Sequence, residues 1–413
     1  MSEKANCLIT KTIDMKRVLL SLSVILALTA CGENQKSSEK ASTTETEEQE
    51  SQTREGLEEQ PEAEAPETDY EHEVVVSGID SPWSFTFLPD GSMLITQKSG
   101  ELFHFKDGNK QTVSGVPEVY NQGQGGLLEV ALHPDYKTNP WIYLTFSSEE
   151  GEGEGGNTKL VRAKLSNNQL TDIEDLYKAE PNTTKGQHFG SRIVFDESGH
   201  LYFTIGDRGN RDENPQDITR DGGKVYRLNL DGSIPEDNPF VGEENAKEAV
   251  YSYGHRNAQG MIYHPENGEV WLHEHGPQGG DEINIVKKGL NYGWPTVTYG
   301  VNYDDTVITE QTGGPEFEEP MFYWLPSIAP SGFVFVTSDK YPDLKGDLLV
   351  GSLKFQYLEH LELDGTSIGK RTKLLDGVGR LRDVREGPDG FIYAAVEGTG
   401  IVKLLPEEEE TSN

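Results

Sequence analysis

Eight short segments are rich in glycine or in charged and polar side chains, and they hold the residues that could do chemistry. They are GQGGLLEVALHPDY (123–136), HFGSR (188–192), GDRGNRD (206–212), YGHRNAQG (253–260), HEHGPQGGDEIN (273–284), LPSIAPSG (325–332), GSLK (351–354) and RLRDV (380–384). Glycine lets the backbone approach a ligand closely, while the neighbouring polar groups supply charge and hydrogen bonds. The sequence therefore predicts a ligand site that several loops build together.

These segments alternate with one recurring unit, which is an apolar strand, a turn of Pro, Asp or Gly, and a second apolar strand. The copies occupy residues 83–97, 127–146, 191–207, 259–276, 332–353 and 381–398. Six hairpins, each with room for two further strands, predict an all-β fold, a six-bladed β-propeller of four-stranded antiparallel blades. A β-sandwich and two separate β domains are the alternatives, but neither naturally produces six hairpins along the whole chain.

Two further features of the predicted propeller follow from the spacing of its hairpins. Residues 71–78 (EHEVVVSG) form a strand that we expect to complete the sheet ended by residues 400–406, which closes the ring without an exposed edge. The spacing is longest between the third and fifth copies. Because loops on a rigid scaffold carry function, we expect these insertions to hold the site.

The first 31 residues are typical of a signal peptide with a lipobox. An apolar run over residues 18–30 follows Lys16-Arg17; it is short for a membrane-spanning helix but suits a signal peptide. The run ends LTAC at residues 28–31, so we expect Cys31 to carry lipid. Met15 is an alternative start, and a plain secretory signal is the alternative interpretation. We expect a lipid-anchored protein of the bacterial cell envelope, on the periplasmic or cell-surface side, in the outer membrane if the host has one.

The remainder of the chain divides by composition into a linker, a propeller and a tail. Residues 32–69 are mostly Glu, Gln, Ser and Thr, which cannot bury enough surface to offset their ordering entropy, so we predict a disordered acidic linker. The propeller is predicted over residues 70–405 and an acidic tail over residues 406–413. Both cysteines precede residue 32, so the propeller contains no disulfide.

The charge of the chain excludes one class of partner. There are 36 Lys and Arg residues against 71 Asp and Glu residues, a formal net charge of −35. So acidic a surface repels phosphate backbones, which argues against nucleic acid as a partner. The charge does not identify a substrate, and a highly solvated surface accounts for it.

In their order along the chain, these eight segments, together with GGKVYRLNLDGSIPEDNPF (222–240) and LNYGWP (290–295), resemble the soluble PQQ-dependent glucose and aldose sugar dehydrogenases, the glucose/sorbosone dehydrogenase family. The resemblance covers residues 76–403, and the HFGSR form is more similar to the aldose sugar dehydrogenases than to the glucose-specific enzyme. It implies PQQ and Ca²⁺ as cofactors and the oxidation of an aldose to a lactone, with hydride transfer to the quinone. The electrons would then pass to an acceptor that is a quinone or a cytochrome.

The resemblance also implies roles for individual residues. His188 matches the general base, and Gln124 and Arg256 match residues at the quinone and the reacting carbon. Gly276 and Pro277 match a pair whose backbone carbonyls bind Ca²⁺. The cofactor-binding residues that it implies are Gln124, Arg208, Arg256, Asn257, His275, Ser327, Lys354, Arg380 and Arg382.

The chemistry of these residue types is consistent with the roles that the resemblance implies. PQQ carries three carboxylates, and Lys354, Arg380 and Arg382 are cations suited to hold them in an acidic protein. Hydride loss from an alcohol leaves a proton behind, and a neutral imidazole such as that of His188 is a natural acceptor. Ca²⁺ prefers carbonyl and carboxylate oxygens and acts as a Lewis acid.

Three positions depart from the glucose-specific enzyme and bear on substrate preference. Gln187 stands where that enzyme has aspartate, Arg208 where it has glutamine, and Ser327 where it has threonine. His273 and His275 flank Glu274 and could suggest a zinc pair, but the sequence places no third ligand. We therefore interpret His273 as structural and His275 as part of the cofactor wall.

Two other functions remain alternatives. The first is a non-redox propeller that binds glycans or a protein partner, and such a degenerate propeller would be expected to lose some of the site residues. The set that discriminates is intact, namely Gln124, His188, Arg256, Lys354, Arg380 and Arg382. The second alternative is a calcium-dependent propeller lactonase, whose cluster of side-chain carboxylate and amide ligands these segments do not supply.

Overall fold

A computed structural model describes residues 57, 59–66 and 70–406 of the chain. The predicted signal peptide with Cys31, most of the predicted linker and the acidic tail from residue 407 lie outside the described residues. Within the described ranges, no helix is long and apolar enough to cross a membrane.

Twenty-four strands, paired in six four-stranded sheets, make up the regular structure of the described residues. Strand β1 is His72–Ser77. Blade 1 contains β2 (Pro82–Phe87), β3 (Met93–Gln97), β4 (Leu102–Lys106) and β5 (Asn109–Val113). Blade 2 contains β6 (Leu127–Leu132), β7 (Trp141–Ser148), β8 (Asn157–Ser166) and β9 (Gln169–Lys178). Blade 3 contains β10 (Ile193–Phe195), β11 (His200–Ile205), β12 (Lys224–Asn229) and β13 (Val250–Tyr253).

The other three blades follow in chain order. Blade 4 contains β14 (Ala258–Tyr263), β15 (Val270–Glu274), β16 (Asp281–Val286) and β17 (Phe322–Trp324). Blade 5 contains β18 (Pro330–Phe335), β19 (Leu348–Ser352), β20 (Leu358–Asp364) and β21 (Ser367–Leu374). Blade 6 contains β22 (Leu381–Glu386), β23 (Ile392–Val396) and β24 (Gly400–Leu404), and β1 is its fourth strand.

Each predicted hairpin forms the first two strands of one blade. In blade 1, for example, Phe85 of β2 faces Ile95 of β3 across an antiparallel pair. The first strands of the blades contact one another in a closed ring, in the order β2, β6, β10, β14, β18, β22 and back to β2. The predicted six-bladed propeller is therefore confirmed, and the sandwich and two-domain alternatives are wrong.

The ring is closed by the two ends of the described chain. Strand β1 pairs antiparallel with β24, so that Val74 faces Val402 and Ser77 faces Gly400. This confirms the predicted closing strand. The pairing completes blade 6 and covers an edge of β24 that would otherwise present unpaired backbone groups.

Apolar layers between neighbouring blades form the core. Between blades 1 and 2, Leu94 and Leu102 pack with Leu144 and Val161, all of them buried. Inner strands are buried on both faces, which is why they appear in the sequence as nearly continuous apolar runs. The rigid ring that results fixes the positions of the loops at its ends.

The structure differs from the predicted disordered linker at residues 59–66. Glu64 forms a parallel bridge with Thr372 at the edge of blade 5. Its backbone N–H donates to the carbonyl of Arg371 at 2.8 Å, and its carbonyl accepts from the N–H of Lys373 at 2.7 Å. Ala63 is buried in this contact. Pairing with a basic edge strand offsets the ordering entropy, which composition alone could not reveal.

Candidate active site

The predicted site segments meet at one end of the propeller axis. His188 precedes β10, and Arg256 and Asn257 precede β14, so they lie where the first strands of blades 3 and 4 begin. The second strands end at the same edge, because each pair of first and second strands is antiparallel. The connections after those second strands contain Asp207 and Gly276. The insertions between the third and fifth hairpins, which we expected to hold the site, contribute Arg256, Asn257 and Ser327. Other predicted site residues, among them Gln124, His188 and Lys354, lie outside these insertions.

His188 is the centre of this cluster. Its backbone N–H donates to Oε1 of Gln124 at 2.7 Å, and its Nδ1 lies 2.6 Å from Oδ1 of Asp207. The carboxylate can only accept, so Nδ1 carries the hydrogen and Nε2 of the neutral ring carries the lone pair. Among the described residues, the hydrogen bonds of His188 are those of its backbone N–H and of Nδ1, and none involves Nε2. The free lone pair is what a general base requires.

The ionisation of this pair is set by burial and by its neighbours. Burial, together with the charge of Arg256, lowers the pKa of His188, while Asp207 opposes that shift. Burial alone would raise the pKa of Asp207, but the His188 hydrogen bond and the Arg256 charge bring it below its ordinary value. The Asp207 carboxylate also accepts from Nε1 of Trp294 at 2.9 Å. A neutral imidazole is therefore held against an ionised carboxylate near neutral pH.

Arg256 and Asn257 connect this pair to blade 4. The Arg256 guanidinium donates to the carbonyls of His275 at 3.0 Å and Gly276 at 2.7 Å. The Asn257 side-chain oxygen accepts from the N–H of Gly190 at 3.2 Å. A Cβ on Gly190, whose φ is +61°, would meet backbone atoms at 2.8 Å, so the HFGSR segment needs glycine there.

A buried carboxylate, that of Asp281, fixes the turn at Gly276. Oδ1 of Asp281 accepts from the Gly276 N–H at 2.8 Å. Oδ2 accepts from the Ser327 hydroxyl at 2.7 Å and from the Ala329 N–H at 2.9 Å. Burial raises the pKa of Asp281 to about 6. Ser327 thus contacts the Gly276 turn through Asp281. The sequence analysis did not identify Asp281.

His275 is a half-buried neutral imidazole beside the cluster. Its Nε2 donates to the Pro330 carbonyl at 2.5 Å. Burial, with the charges of Arg256 and Arg382 adding to it, lowers the pKa of His275 to about 3. His273 contacts the Ser331 carbonyl and is fully buried, as its structural interpretation requires.

The three cations predicted to hold PQQ, Lys354, Arg380 and Arg382, lie on blades 5 and 6. They outnumber the carboxylates that pair with them. Arg380 and Arg382 share one carboxylate, Glu397, at 2.9 Å and 3.0 Å. Lys354 is exposed, and its ammonium lies 4.8 Å from the Phe355 ring centre with no carboxylate partner in the described ranges. Three cations against one carboxylate leave a positive patch on an acidic protein. Such a patch suits a ligand with several carboxylates.

Arg208 has a different environment from the other predicted residues. Its guanidinium is 1% exposed, lies 3.4 Å from the Phe189 ring centre and donates to the Gly156 and Lys185 carbonyls at 3.0 Å each. It also donates to the Gln187 carbonyl. Burial lowers the pKa of Arg208 to about 9. Arg208 therefore supports the backbone that leads into His188.

Sequence reasoning missed Asp207 and Glu397 as well as Asp281. Asp207 stands next to Arg208 in GDRGNRD, but nothing local connects it with His188. The contact of Glu397 with Arg380 could have been predicted from the sixth hairpin. Leu381 pairs with Val396 there, so the next pair along the two strands brings Arg380 opposite Glu397. The structure brings together residues from all the predicted segments, and it adds the carboxylates that position them.

The residues present fit PQQ and Ca²⁺. The positive patch of Lys354, Arg380 and Arg382 matches an anion with several carboxylates. Around Gly276 backbone oxygens crowd closely, since a Cβ there would lie 2.2 Å from the Gly279 carbonyl oxygen. Carbonyl oxygens are ligands that Ca²⁺ accepts. In the described ranges, no group of three or more His, Cys, Asp or Glu side chains is placed to hold a metal ion.

The fold and the site define this protein as a closed six-bladed β-propeller that contains a buried His–Asp pair and a positive patch, and comparison with known proteins specifies the family. This chain belongs to the Glucose / Sorbosone dehydrogenase family, whose profile matches residues 79–403. It is 41% identical over 344 residues to the aldose sugar dehydrogenase YliI of Escherichia coli (strain K12), which covers 81% of this chain and 92% of the relative. It is 34% identical over 264 residues to quinoprotein glucose dehydrogenase B of Acinetobacter calcoaceticus, covering 57% of this chain and 54% of that protein.

Solved structures give the same result. The apo form of the soluble aldose sugar dehydrogenase from Escherichia coli matches with a TM-score of 0.79 and 39% identity, covering 82% of this chain and all of that one (100%). The PQQ-bound aldose sugar dehydrogenase from Streptomyces coelicolor matches with a TM-score of 0.67 and 28% identity, covering 83% and 99%. The expected family is therefore confirmed, and these relatives are oxidoreductases by name.

Proposed function

We propose that this protein is a PQQ- and Ca²⁺-dependent dehydrogenase that oxidises aldose sugars to lactones. The observation that carries the proposal is the buried His188–Asp207 pair, whose free Nε2 lies in a cluster with Arg256 and Gln124. The proposal is also supported by the aldose sugar dehydrogenase and quinoprotein names of the relatives. The electron acceptor that we expect is a quinone or a cytochrome.

Each residue has one task in this proposal. Lys354, Arg380 and Arg382 would hold the carboxylates of PQQ. The Pro277 carbonyl would hold Ca²⁺ together with the second lone pair of the Gly276 carbonyl, whose first lone pair accepts from Arg256 at 2.7 Å. When bound, PQQ supplies the hydride acceptor and Ca²⁺ supplies Lewis acidity beside it. The Asn257 and His275 side chains would line the wall of the cofactor site.

The chain itself provides the proton chemistry. Nε2 of His188 takes the proton of the anomeric hydroxyl, and the Asp207 carboxylate stabilises the imidazolium that forms. Oε1 of Gln124 accepts from the His188 backbone, so the amide N–H groups of Gln124 remain to orient the sugar. Arg256, anchored on the carbonyls of His275 and Gly276, places a cation beside the reacting oxygen.

Reconstitution tests the proposal. Purified protein from a host without PQQ should reduce a dye with aldoses only when both PQQ and Ca²⁺ are added. Lys354→Ala should weaken PQQ binding by about tenfold, because it removes one charge-assisted contact. Lys340→Ala, which removes another exposed lysine beside a phenylalanine ring, is the matched control. Equal activity with NAD or a flavin and no PQQ would sink the proposal.

We also propose that the protein is lipid-anchored through Cys31 in the bacterial cell envelope. The support is the LTAC sequence at residues 28–31 after an apolar run. A labelled fatty acid should mark the wild type and not Cys31→Ser. Equal labelling of both would leave simple secretion as the explanation.

A further inference from the structure

The segment that we call the N-terminal strap, residues 59–66, is attached to the outer strand of blade 5, β21. Its backbone pairs with β21 through Glu64, as described above, and the Pro61 carbonyl accepts from the Arg371 guanidinium at 2.8 Å. Glu62 lies 3.4 Å from the ammonium of Lys373. An acidic segment therefore covers the basic edge of blade 5.

One contact leads from the strap to the loop that precedes β18. The backbone N–H of Gln60 donates to the carbonyl of Leu325 at 2.8 Å. Leu325 begins the loop of residues 325–329, which contains Ser327. A cavity of about 200 Å³ lies between the strap and this loop, bordered by Gln60, Pro61, Leu325 and Phe355.

The same loop supports two parts of the proposed cofactor site. Ser327 and Ala329 donate to Oδ2 of Asp281, whose Oδ1 holds the Gly276 N–H. The Ile328 carbonyl accepts from the backbone N–H of Lys354 at 3.2 Å. The loop thus connects the strap with the turn proposed to hold Ca²⁺ and with a lysine proposed to hold PQQ.

We infer that the N-terminal strap is a positioning segment for the cofactor site, acting through Leu325, Ser327 and Asp281 on the Gly276 turn. The inference rests on the proposed function for the identity of the cofactor, but the coupling of strap and turn is independent of it. Release of the strap would let the loop move, and Gly276 and Lys354 would lose their fixed positions.

The ion pairs of the strap contribute little to its attachment. Glu62 is 87% exposed in its ion pair, and Glu64 is 69% exposed in its pair with Lys370 at 3.8 Å. Ion pairs this exposed are weak and are screened by salt. The strap is therefore attached mainly by the backbone pairing of Gln60 and Glu64, together with the Pro61–Arg371 hydrogen bond and the buried Ala63. The bond from Gln60 to Leu325 is the one that leads to the loop, and it is the part that the test should remove.

Gln60→Pro in the full chain removes the N–H that donates to Leu325 and changes no charge. Gln60→Ala is the matched control, because it keeps the N–H and loses only the side chain. In cofactor-free protein, hydrogen exchange at the amides of Gly276 and Ala329 should be about threefold to tenfold faster in Gln60→Pro than in the wild type or the control. Unchanged exchange at both amides would overturn the coupling.

Cofactor titration supplies the second measurement. In Gln60→Pro the dissociation constant for PQQ, measured by fluorescence with Ca²⁺ present, should rise about threefold to tenfold.

A second pair of variants changes the charge of the strap. Glu62→Lys should also raise the dissociation constant for PQQ, while Glu118→Lys, the same charge change on an exposed loop residue, should not. Faster exchange with an unchanged PQQ constant would overturn the positioning role. Failure of the wild type to bind PQQ would overturn the proposed function, whereas the exchange result would still decide the coupling.

Discussion

At the scale of single residues, the imidazole of His188 decides whether the proposed chemistry can run. His188→Gln keeps a similar size but cannot take the proton, so kcat should fall by about 10²–10⁴-fold. PQQ titration and the thermal midpoint should stay nearly unchanged. A variant that keeps wild-type kcat with intact PQQ binding would mean that another group is the base, and a variant that does not fold would give His188 a structural role.

The pH dependence of the wild type follows from the same residue. The base must be neutral, so kcat/KM should rise with pH through the pKa of His188 and level off above it. Burial and Arg256 lower that pKa below its ordinary value of 6.5, so the rising limb should lie on the acidic side of that pH. A pH–rate profile of the wild type shows the limb, and it should be absent from His188→Gln.

Asp207 should act through His188 without touching the sugar. Asp207→Asn removes the carboxylate that raises the pKa of His188, so the rising limb should move to lower pH. Because the imidazolium also loses its counter-charge, kcat should fall on the order of 10²-fold or more. Asp212→Asn, an exposed change in the same segment, should leave the pH–rate profile unaltered. A lower rate without a displaced limb would contradict the positioning role.

At the scale of the elements, pairing of β1 with β24 completes the ring. Val76 is 2% exposed and Val74 is 50% exposed on the same strand, which gives a matched pair of positions. Val76→Asp buries an unpaired charge and should lower the free energy of unfolding by about 2–4 kcal/mol. Val74→Asp should change it by no more than about 0.5 kcal/mol. Denaturant titration measures both, and equal effects would contradict closure through β1.

At the scale of the whole molecule, a buried ion network crosses the propeller axis and joins four blades. Arg192 of blade 3 lies 3.0 Å from both Glu129 and Asp383, which belong to blades 2 and 6. It also donates to the carbonyls of Gln259 at 2.6 Å and Arg382 at 2.8 Å. The network therefore ties blade 4, through Gln259, to the strand that contains a cofactor-site arginine.

Breaking this network should destabilise the whole ring. Arg192→Met removes one of the two arginines that pair with both Glu129 and Asp383, and only Arg385 then remains to balance two buried carboxylates. The variant should cost about 3 kcal/mol of unfolding free energy. Arg220→Met, which removes a more exposed arginine paired with Glu213, should cost about 1 kcal/mol or less. Chemical denaturation of the two variants tests the difference. Similar losses would mean that the axial network contributes no more than a surface pair.

Sequence alone determined the blades and the segments of the site. The hairpin is a local pattern, with strands and turns defined by neighbouring residues, so all six copies and the closing strand β1 were predictable. The glycine-rich segments could be recognised in the same way, since glycine at Gly190 answers a local backbone requirement. The order of the segments was enough to predict the family.

Only the tertiary structure decided which charged groups meet. Asp207 and Asp281 find their partners His188 and Ser327 only in the folded ring, because contacts between loops distant in the sequence depend on the tertiary structure. Arg208 is a backbone support because the folded loops surround its guanidinium, which a motif cannot reveal. The docking of residues 59–66 has the same cause, since a polar segment becomes ordered only where an edge strand offers it backbone partners and opposite charge.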